Sequence, residues 1–261
     1  MNTSSAAIRQ AVSHLLPTLT VEILEQVDSS NSELMRRARS GLREPVLLVA
    51  RRQSAGRGRL GRTWHSETDS ETHNLTFSLG LPLAPRDWSG LSLAVGLAVA
   101  ESLHPALRLK WPNDIYLDGR KLAGILIETA SMGELRYAII GIGMNITLPP
   151  ALSTLSAQEL PTAPAALVEL LPTVDAAQAL LRITPPLVAS VLCFETQGFA
   201  PLRAAFQARD VLYDREVVCS DGTSGVARGV DALGALLIQT TQGVHKLTSA
   251  EVSIRPSTPA D

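Results

Sequence analysis

The sequence predicts an α+β protein with two parts: a larger domain, residues 1–209, with a β-sheet flanked by helices, and a small β-barrel, residues 210–261. Two patterns predict this class. Apolar runs of strand length alternate with helical stretches through the larger part. From Val211 onward, short alternating runs are separated by glycine turns, which is typical of a small barrel. A chain of 261 residues is long enough to bury a core in the larger part.

The first elements follow from periodicity and turn residues. Residues 5–16 place apolar side chains at helical spacing and stop before a proline, so we predict a short amphipathic helix. After the run 20–27, Asp28–Asn31 supplies an N-cap for a second helix that stops at Gly41. The continuous apolar run 45–50 predicts a strand that is buried on both faces.

The middle of the chain combines one apolar helix with several strands. We predict the helix at Leu91–Leu103 and a following strand that ends at Pro112, because the residue before a proline disfavours helix. The Asp118-Gly119 step predicts a hairpin turn. The predicted strands of this part are 74–81, 107–111, 115–117, 124–129 and 136–142.

The composition changes to Ala, Leu, Pro, Thr and Ser between Pro149 and Pro186. We interpret this stretch as scaffold with a mobile loop and with helical patches at 165–171 and 176–181. A further helix is predicted at 194–209. The barrel strands are predicted at 216–219, 225–230, 235–239, 243–247 and 252–254.

Charge and cysteine content exclude several classes of protein. The net charge of -2 and the pI near 6.2 argue against a surface that binds nucleic acid or anionic membranes as a whole. Cys193 and Cys219 form neither a metal spacing nor a disulfide framework. The N-terminus lacks an apolar signal segment, and the apolar stretch Leu91–Ala100 is too short to span a bilayer. We therefore expect a cytoplasmic protein with no membrane partner.

The segment Gly56–Arg62, called the glycine-arginine loop below, matches the glycine spacing of a dinucleotide fingerprint. That fingerprint needs a following helix, whereas polar residues and a strand follow here, and the chain has no P-loop sequence. Alternate arginines on an extended, glycine-rich loop would place their planar guanidinium groups along one side of the loop. This geometry suits the binding of phosphate or carboxylate oxygens. We interpret the loop as an anion clamp; a solvated basic turn and an RNA-binding segment are the alternatives.

Three motifs in this order resemble the biotin protein ligases. They are Gln53–Trp64, with its GRGRLGR core, the KWPND motif Lys110–Asp114, and the KLAGILIE motif Lys121–Glu128. The segments Asp28–Asn31 and Gly141–Asn145 fit the same pattern, and the similarity extends over about residues 21–256. Ser30 stands where the family usually has threonine, which keeps the hydroxyl.

The resemblance implies a mixed sheet of the class II synthetase type, an SH3-like C-terminal barrel and a two-step ligase. Members of this family activate biotin with ATP to biotinyl-5′-AMP, release pyrophosphate, and transfer biotin to a lysine of a biotin carboxyl carrier protein, an acetyl-CoA carboxylase subunit. An anionic carboxylate meets an anionic phosphate in the first step, so fixed cations are needed. Mg²⁺ is expected to arrive with ATP, because the five histidines show no ligand spacing for a protein-built metal site.

The resemblance also implies roles for individual residues. The biotin-binding set is Ser29, Ser30, Asn31, Gln53, Arg57, Gly58, Arg59, Lys121 and Gly124. The ATP-binding set is Arg59, Arg62, Lys110, Trp111, Asn113 and Asn145, although Trp111 also suits packing. Catalytic roles fall on Arg59, Lys121 and Asp114, the last as a base for the incoming lysine or as a turn-stabilising carboxylate. Residues 28–31 can also be a plain helix cap, and the glycine-arginine loop with part of 145–165 is expected to order over the adenylate.

Partners follow from the same resemblance. Some family members carry an N-terminal helix-turn-helix; residues 1–27 are too short for one, so we expect an enzyme without operator DNA binding. The carrier domain is the expected protein partner, and a homodimer is left open. A lipoate or other acyl-carrier ligase and a catalytically silent RNA-binding module are the alternatives.

Lysine is rare in this chain, with three residues, Lys110, Lys121 and Lys246, against twenty arginines. Two of the three lie in the segment that should handle the carboxylate and the phosphate. An ammonium and a guanidinium are not interchangeable, so we predict that Lys121→Arg impairs adenylate formation.

Overall fold

A computed structural model describes residues 2–64, 73–132, 135–148, 164–220, 222–248 and 254–256, and it confirms the α+β class. Its described helices are α1 (Asn2–Val12), α2 (Ser30–Arg39), α3 (Leu91–Leu103), α4 (Ala176–Gln197) and α5 (Arg203–Gln207). Its described strands are β1 (Thr20–Val27), β2 (Val46–Gln53), β3 (Asn74–Leu83), β4 (Arg108–Lys110), β5 (Asp114–Leu117), β6 (Arg120–Met132), β7 (Leu135–Asn145), β8 (Glu216–Cys219), β9 (Ser224–Val230), β10 (Leu236–Thr240), β11 (Gly243–Leu247) and β12 (Ile254–Pro256).

The larger sheet is mixed. Its seven strands lie in the order β1-β2-β3-β7-β6-β5-β4. The pair β1 and β2 is parallel and is connected through α2, whereas every other neighbouring pair is antiparallel. The predicted hairpin joins β5 to β6, and both Asp118 (φ 47°) and Gly119 (φ 75°) adopt the left-handed conformation that such a turn requires.

The two faces of this sheet differ in polarity, because side chains alternate along a strand. On β3, Leu75, Phe77 and Leu79 are buried in the main apolar core, which also includes residues of α1, α3 and α4. The intervening Thr76 and Ser78 are buried polar residues, and the Ser78 hydroxyl contacts α2. The face covered by α2 is therefore the one that offers polar groups.

Helix α4 corrects the prediction of separate helical patches at 176–181 and 194–209. It runs as one helix through Pro185 and Pro186 and ends before Gly198 (φ 66°); a 3₁₀ turn and the short α5 follow. Each proline removes the hydrogen bond to the carbonyl four residues earlier. Those carbonyls belong to Leu181 and Arg182, which are exposed, so water can satisfy them.

By length and apolar composition α4 would be able to cross a membrane, and it is the one helix of the described residues that would. Its buried side, which includes Ile183, Leu187 and Val191, lies in the same core as α1 and α3. A core helix of a folded domain passes the same test.

Two smaller predictions also differ from the structure. The first helix ends at Val12 and not at residue 16. The stretch 165–171 contains only a 3₁₀ turn, Leu167–Glu169.

The C-terminal part is a five-stranded antiparallel sheet with the order β11-β10-β9-β8-β12. It packs on the larger part through a turn between β9 and β10. The indole N–H of Trp111 donates to the carbonyl of Gly234 at 2.9 Å, and Trp111 is 1% exposed. The apolar side chains of both sheets belong to one core, and the boundary at 209/210 stays a prediction.

Asp210 is a half-buried acid with a buried Oδ2 atom, at the point where the chain leaves α5 and runs along β4. Its Oδ1 accepts from the backbone N–H of Leu212 at 2.9 Å, while its Oδ2 has no hydrogen-bond partner among the described residues. Burial raises the pKa of Asp210 to about 6 from an ordinary value of 3.8. The folded state therefore favours the protonated acid.

We expect Asp210→Asn to stabilise the protein only above the pH at which Asp210 ionises. The raised pKa means that the wild type loses stability as pH rises from about 4 to about 6, and the amide removes that loss. Thermal unfolding should show a higher Tm for the variant at pH 8 and an equal Tm at pH 4. Asp87→Asn is the control, and its change in Tm at pH 8 should have the opposite sign. The N–H of Ser89 lowers the pKa of Asp87, so the variant loses a stabilising carboxylate. A gain in Tm that is independent of pH would contradict this assignment.

Candidate active site

Eight of the predicted site residues, together with Ser78, gather on the α2 face of the larger sheet in two groups. The first, called the neutral end, consists of Ser29, Ser30, Asn31, Gln53 and Ser78. The second, called the charged end, consists of Arg59, Asn113, Asp114 and Lys121.

The neutral end begins at the N-terminus of α2. Ser29 is the N-cap, and its hydroxyl accepts from the backbone N–H of Ser32 at 3.4 Å. The next residue, Ser30, donates its backbone N–H to Gln53 Oε1 at 2.7 Å, and its hydroxyl lies 3.1 Å from the same oxygen. These side chains are buried, so hydrogen bonding is required to offset the cost of desolvating them.

Ser78 joins α2 to the sheet and was not predicted as a site residue. It is fully buried, and its hydroxyl lies 2.7 Å from Ser30 Oγ and 2.6 Å from Asn31 Oδ1. The amide nitrogen of Asn31 donates to the carbonyl of Leu126 at 3.1 Å and to Glu128 Oε2 at 3.0 Å. A signal for Ser78 exists in the sequence, because two hydroxyl residues alternate with the apolar residues of β3.

Glycines make room for these side chains. A Cβ on Gly141 would overlap the side-chain amide of Asn31, and a Cβ on Gly143 would overlap the indole ring of Trp64. On β6, a Cβ on Gly124 would lie 3.2 Å from the ammonium of Lys121. Each of these glycines therefore lies directly under a side chain of the motifs that carry the family resemblance.

The charged end lies at the start of β5 and β6. Lys121 Nζ is 2.7 Å from Asp114 Oδ1, and the amide of Asn113 donates to the carbonyl of Ile125 at 2.7 Å. Arg59 Nη1 reaches Asn113 Oδ1 at 3.4 Å. Burial lowers the pKa of Arg59, and the nearby negative charge of Asp114 opposes that effect. Two cations and one carboxylate thus meet here.

The glycine-arginine loop is a compact turn, so the expectation of an extended loop was wrong. Gly58 N–H donates to Arg62 O at 2.7 Å, and Leu60 has a φ of 55°. The arginine forks diverge instead of lining one side. Arg57 Nη2 lies 2.9 Å from Glu128 Oε1, close to the neutral end, whereas Arg59 points to the charged end. The predicted residues Gly58 and Arg62 lie in the turn itself, and Arg62 is exposed.

The other residues predicted to bind ATP lie in different surroundings. Lys110 Nζ is 3.3 Å from the hydroxyl of Tyr116, and burial raises the pKa of that hydroxyl to about 12. The structure contradicts the predicted contact of Trp111 with ATP. The side chain of Trp111 is buried and its N–H is already bonded, so in this structure it packs and offers no surface to a nucleotide. Asn145 donates to the carbonyl of Ala165 at 3.0 Å, next to Lys121, whose carbonyl accepts from Ala165 N–H at 2.8 Å.

The expected ordering of a loop over the adenylate and the expected lack of a protein-built metal site can be compared with the described residues only. Most of the segment 145–165, which is expected to order over the adenylate, lies outside the described residues. Over the described ranges, no group of three His, Cys, Asp or Glu residues could hold a metal ion.

Comparison with known proteins shows the family of the chain. Residues 24–145 match the Biotin/lipoate A/B protein ligase family, and residues 218–255 match the Biotin protein ligase C terminal domain. The chain is 33% identical to the bifunctional ligase/repressor BirA of Salmonella typhimurium over 90% of this chain and 74% of that protein. It is 32% identical to the biotin--[acetyl-CoA-carboxylase] ligase of Paracoccus denitrificans over 88% of this chain and 98% of that protein.

A solved structure agrees as well. The biotin protein ligase from Aquifex aeolicus, in complex with biotin and ATP, superposes with a TM-score of 0.74 at 29% identity, over 91% of this chain and 99% of that chain. Fold and site thus define a member of the biotin and lipoate ligases. Within that class, the chain belongs to the biotin protein ligase family.

We expect Gly141→Ala to destabilise the protein, because the added methyl group must displace the amide of Asn31 from its buried hydrogen bonds. The free energy of unfolding in urea should fall by about 1–3 kcal/mol. Gly96→Ala in α3 is the matched control, since its Cβ would meet only the ends of Ile125 and Leu109 side chains, at 3.3 and 3.4 Å. Equal stability of the two variants would contradict this packing.

Proposed function

We propose that the chain is a biotin protein ligase. It activates biotin with ATP to biotinyl-5′-AMP and pyrophosphate, and then transfers biotin to a specific lysine of a biotin carboxyl carrier protein, an acetyl-CoA carboxylase subunit, by forming an amide bond. The observation that carries this proposal is the pairing of two different ends in one site. The neutral end offers uncharged donors and acceptors. The charged end offers two fixed cations, Arg59 of the glycine-arginine loop and Lys121 of the KLAGILIE motif, beside residues of the KWPND motif.

The neutral end suits the ureido ring of biotin. A cyclic urea has two N–H donors and one carbonyl acceptor and carries no charge, so a buried partner must supply both kinds of group without an excess charge. Ser30, Asn31 and Gln53 provide hydroxyl and amide groups, and Ser78 adds a hydroxyl from the sheet. We assign the ring to this end.

The charged end suits the activation step. A carboxylate oxygen of biotin attacks the α-phosphorus of ATP, the bond from that phosphorus to the bridging oxygen breaks, and pyrophosphate leaves with the electron pair. Arg59 and Lys121 would offset the repulsion between the two anions. Their positions are held before any ligand arrives, because Lys121 is paired with Asp114 and Arg59 contacts Asn113. Preorganised cations of this kind lower the barrier without reorganising during the reaction.

Asp114 suits the transfer step. The lysine amine of the carrier attacks the carbonyl carbon of the adenylate, and AMP leaves with the electrons of the carbon–oxygen bond. The attacking amine has to lose a proton, since a free lysine has a pKa near 10.4. We assign Asp114 to orient that amine and accept its proton, and its contact with Lys121 keeps the carboxylate at the charged end. The same carboxylate would thus serve both steps.

Several parts of the proposal rest on the family resemblance. Mg²⁺ would arrive with ATP and neutralise phosphate charge, and the residues next to it would be those of the charged end. The carrier domain, a homodimer, the absence of operator DNA binding and a cytoplasmic location stay predictions.

The two alternatives have less support. A lipoate ligase would share the first matched family, but the match of residues 218–255 is to a biotin protein ligase domain. An RNA-binding role would need arginine forks directed outward. Arg57 and Arg59 instead contact Glu128 and Asn113 of the site.

Exchange of labelled pyrophosphate into ATP tests the function directly. We expect exchange that depends on biotin and is not supported by lipoate. Arg59→Ala should reduce it about 100-fold or more, as for other preorganised charge-stabilising groups. Absence of exchange with biotin would remove the proposed function.

The Lys121→Arg variant tests the charged end in the same assay. We expect a loss of about tenfold or more, because a planar guanidinium cannot occupy the place of the ammonium above Gly124 beside Asp114. Lys246→Arg is the matched control: Lys246 forms a comparable ion pair, 3.1 Å from Asp231, in the C-terminal sheet. Near-normal exchange by Lys121→Arg would show that any cation suffices at this position.

A further inference from the structure

Two described carboxylates contact the neutral end. Asp28 accepts from the backbone N–H of Ser29 at 2.8 Å and pairs with Arg36. Glu128 contacts Asn31, and none of the roles above uses it. Its Oε2 accepts from the amide of Asn31 at 3.0 Å, and its Oε1 accepts from Arg57 at 2.9 Å. Arg57 also lies 3.3 Å from the hydroxyl of Ser32 in α2. Glu128 therefore bridges the glycine-arginine loop, β6 and the first turn of α2.

We propose that Glu128 is a positioning residue for biotin, which acts through Asn31 and Arg57. This inference rests on the proposed function and deepens it, because it names the group that orients the neutral end. Glu128 is not a catalytic residue in this proposal, since its side-chain hydrogen bonds, within the part of the chain that the structure describes, go to the two side chains that it positions.

The first step of the argument concerns the amide of Asn31. Glu128 and the carbonyl of Leu126 both accept, so the amide nitrogen of Asn31 faces them. The amide oxygen then faces Ser78 Oγ at 2.6 Å. Without a charged acceptor at position 128, the free-energy difference that favours this orientation of the amide would be smaller. Glu128 and the carbonyl of Leu126 together thus set the direction of hydrogen bonding across the buried network, and Glu128 supplies the charged acceptor.

The second step concerns Arg57. Its side chain is 47% exposed, so without a partner it would sample many rotamers and lose entropy on ordering. The bond to Glu128, whose side chain is only 21% exposed, holds the guanidinium against α2 before a ligand arrives. A loop held in this way costs less free energy to order when biotin binds.

A glutamine cannot replace Glu128 in this arrangement. Both partners, Arg57 and Asn31, are donors, and a carboxylate accepts from both. A glutamine accepts through one oxygen only and turns its NH₂ group toward the other donor. The Glu128→Gln variant keeps the shape of the side chain but cannot accept all three of its hydrogen bonds. With its oxygen toward Asn31 it keeps the 3.4 Å contact with Arg57 Nη1 but loses the 2.9 Å bond from Arg57 Nη2, and with its oxygen in the other position it loses the bond from Asn31.

The experiment is a calorimetric titration of the full chain with biotin alone, followed by KM measurements in the exchange assay. For Glu128→Gln we expect the Kd for biotin and its KM to rise about tenfold, the equivalent of one lost hydrogen bond. The KM for ATP and kcat at saturating biotin should stay within about threefold, because the charged end is intact. A general loss of structure would change all four quantities together.

The matched control is Glu33→Gln. Glu33 accepts from Arg36 and Arg37, and its side chain is 23% exposed, so it resembles Glu128 in the chemistry of its partners and in burial. It lies on the same helix turn as Asn31, but its side-chain hydrogen bonds go to these two arginines and not to the neutral end. We expect its Kd for biotin to equal that of the wild type. A second variant, Arg57→Gln, tests the same link from the exposed side if Glu128→Gln lowers Tm strongly, and it should also raise the Kd.

The proposal is overturned if Glu128→Gln folds and binds biotin as the wild type does or more tightly. Tighter binding would mean that Glu128 competes with the ligand for Arg57. If Glu128→Gln does not fold, unchanged binding by Arg57→Gln overturns the proposal as well. Failure of the proposed function is distinct: the wild type itself would then show neither biotin binding nor biotin-dependent exchange.

Discussion

The arrangement of this site depends on one constraint, which is that the polar groups buried between α2 and the sheet must satisfy one another. Ser30, Asn31 and Ser78 have almost no contact with solvent, and an unpaired group at any of these positions would cost about 1–3 kcal/mol. The hydrogen bonds among them hold the first turn of α2 against β3 and β6. Gly141 is required under this contact because no side chain fits there. The neutral end thus holds α2 against the sheet and also offers polar groups to a ligand.

The cations of the site are paired with acids in the structure. Arg57 pairs with Glu128, and Lys121 pairs with Asp114. Cations that are paired with acids cost less to hold in a partly buried site than isolated ones, and they stay in defined positions. The pairing also separates the roles of the arginines. Arg57 contacts Ser32 of α2 and Glu128 of β6, whereas Arg59 contacts Asn113 of the KWPND motif.

Most of the fold could be predicted from periodicity and turn residues, because local sequence controls those features. The helix Leu91–Leu103, an N-cap within Asp28–Asn31 and the turn at Asp118-Gly119 occur as predicted, with Ser29 as the capping residue. The long helix α4 could not be predicted, since the cost of Pro185 and Pro186 depends on whether the freed carbonyls reach water. The composition of the site followed from motifs, but its connections did not. Ser78 and Glu128 act through contacts over 47 and 97 residues of sequence, which no local pattern encodes.

The central claim is that the two ends of the site bind opposite ends of one molecule, and a crystal structure of the chain with biotin tests it most directly. The account predicts that the ureido ring lies at the neutral end, within about 3 Å of the hydroxyl groups of Ser30 and Ser78 or of the amide of Asn31. The carboxylate should point toward Lys121 and Arg59. Biotin bound in the reverse orientation, or away from these residues, would contradict the account.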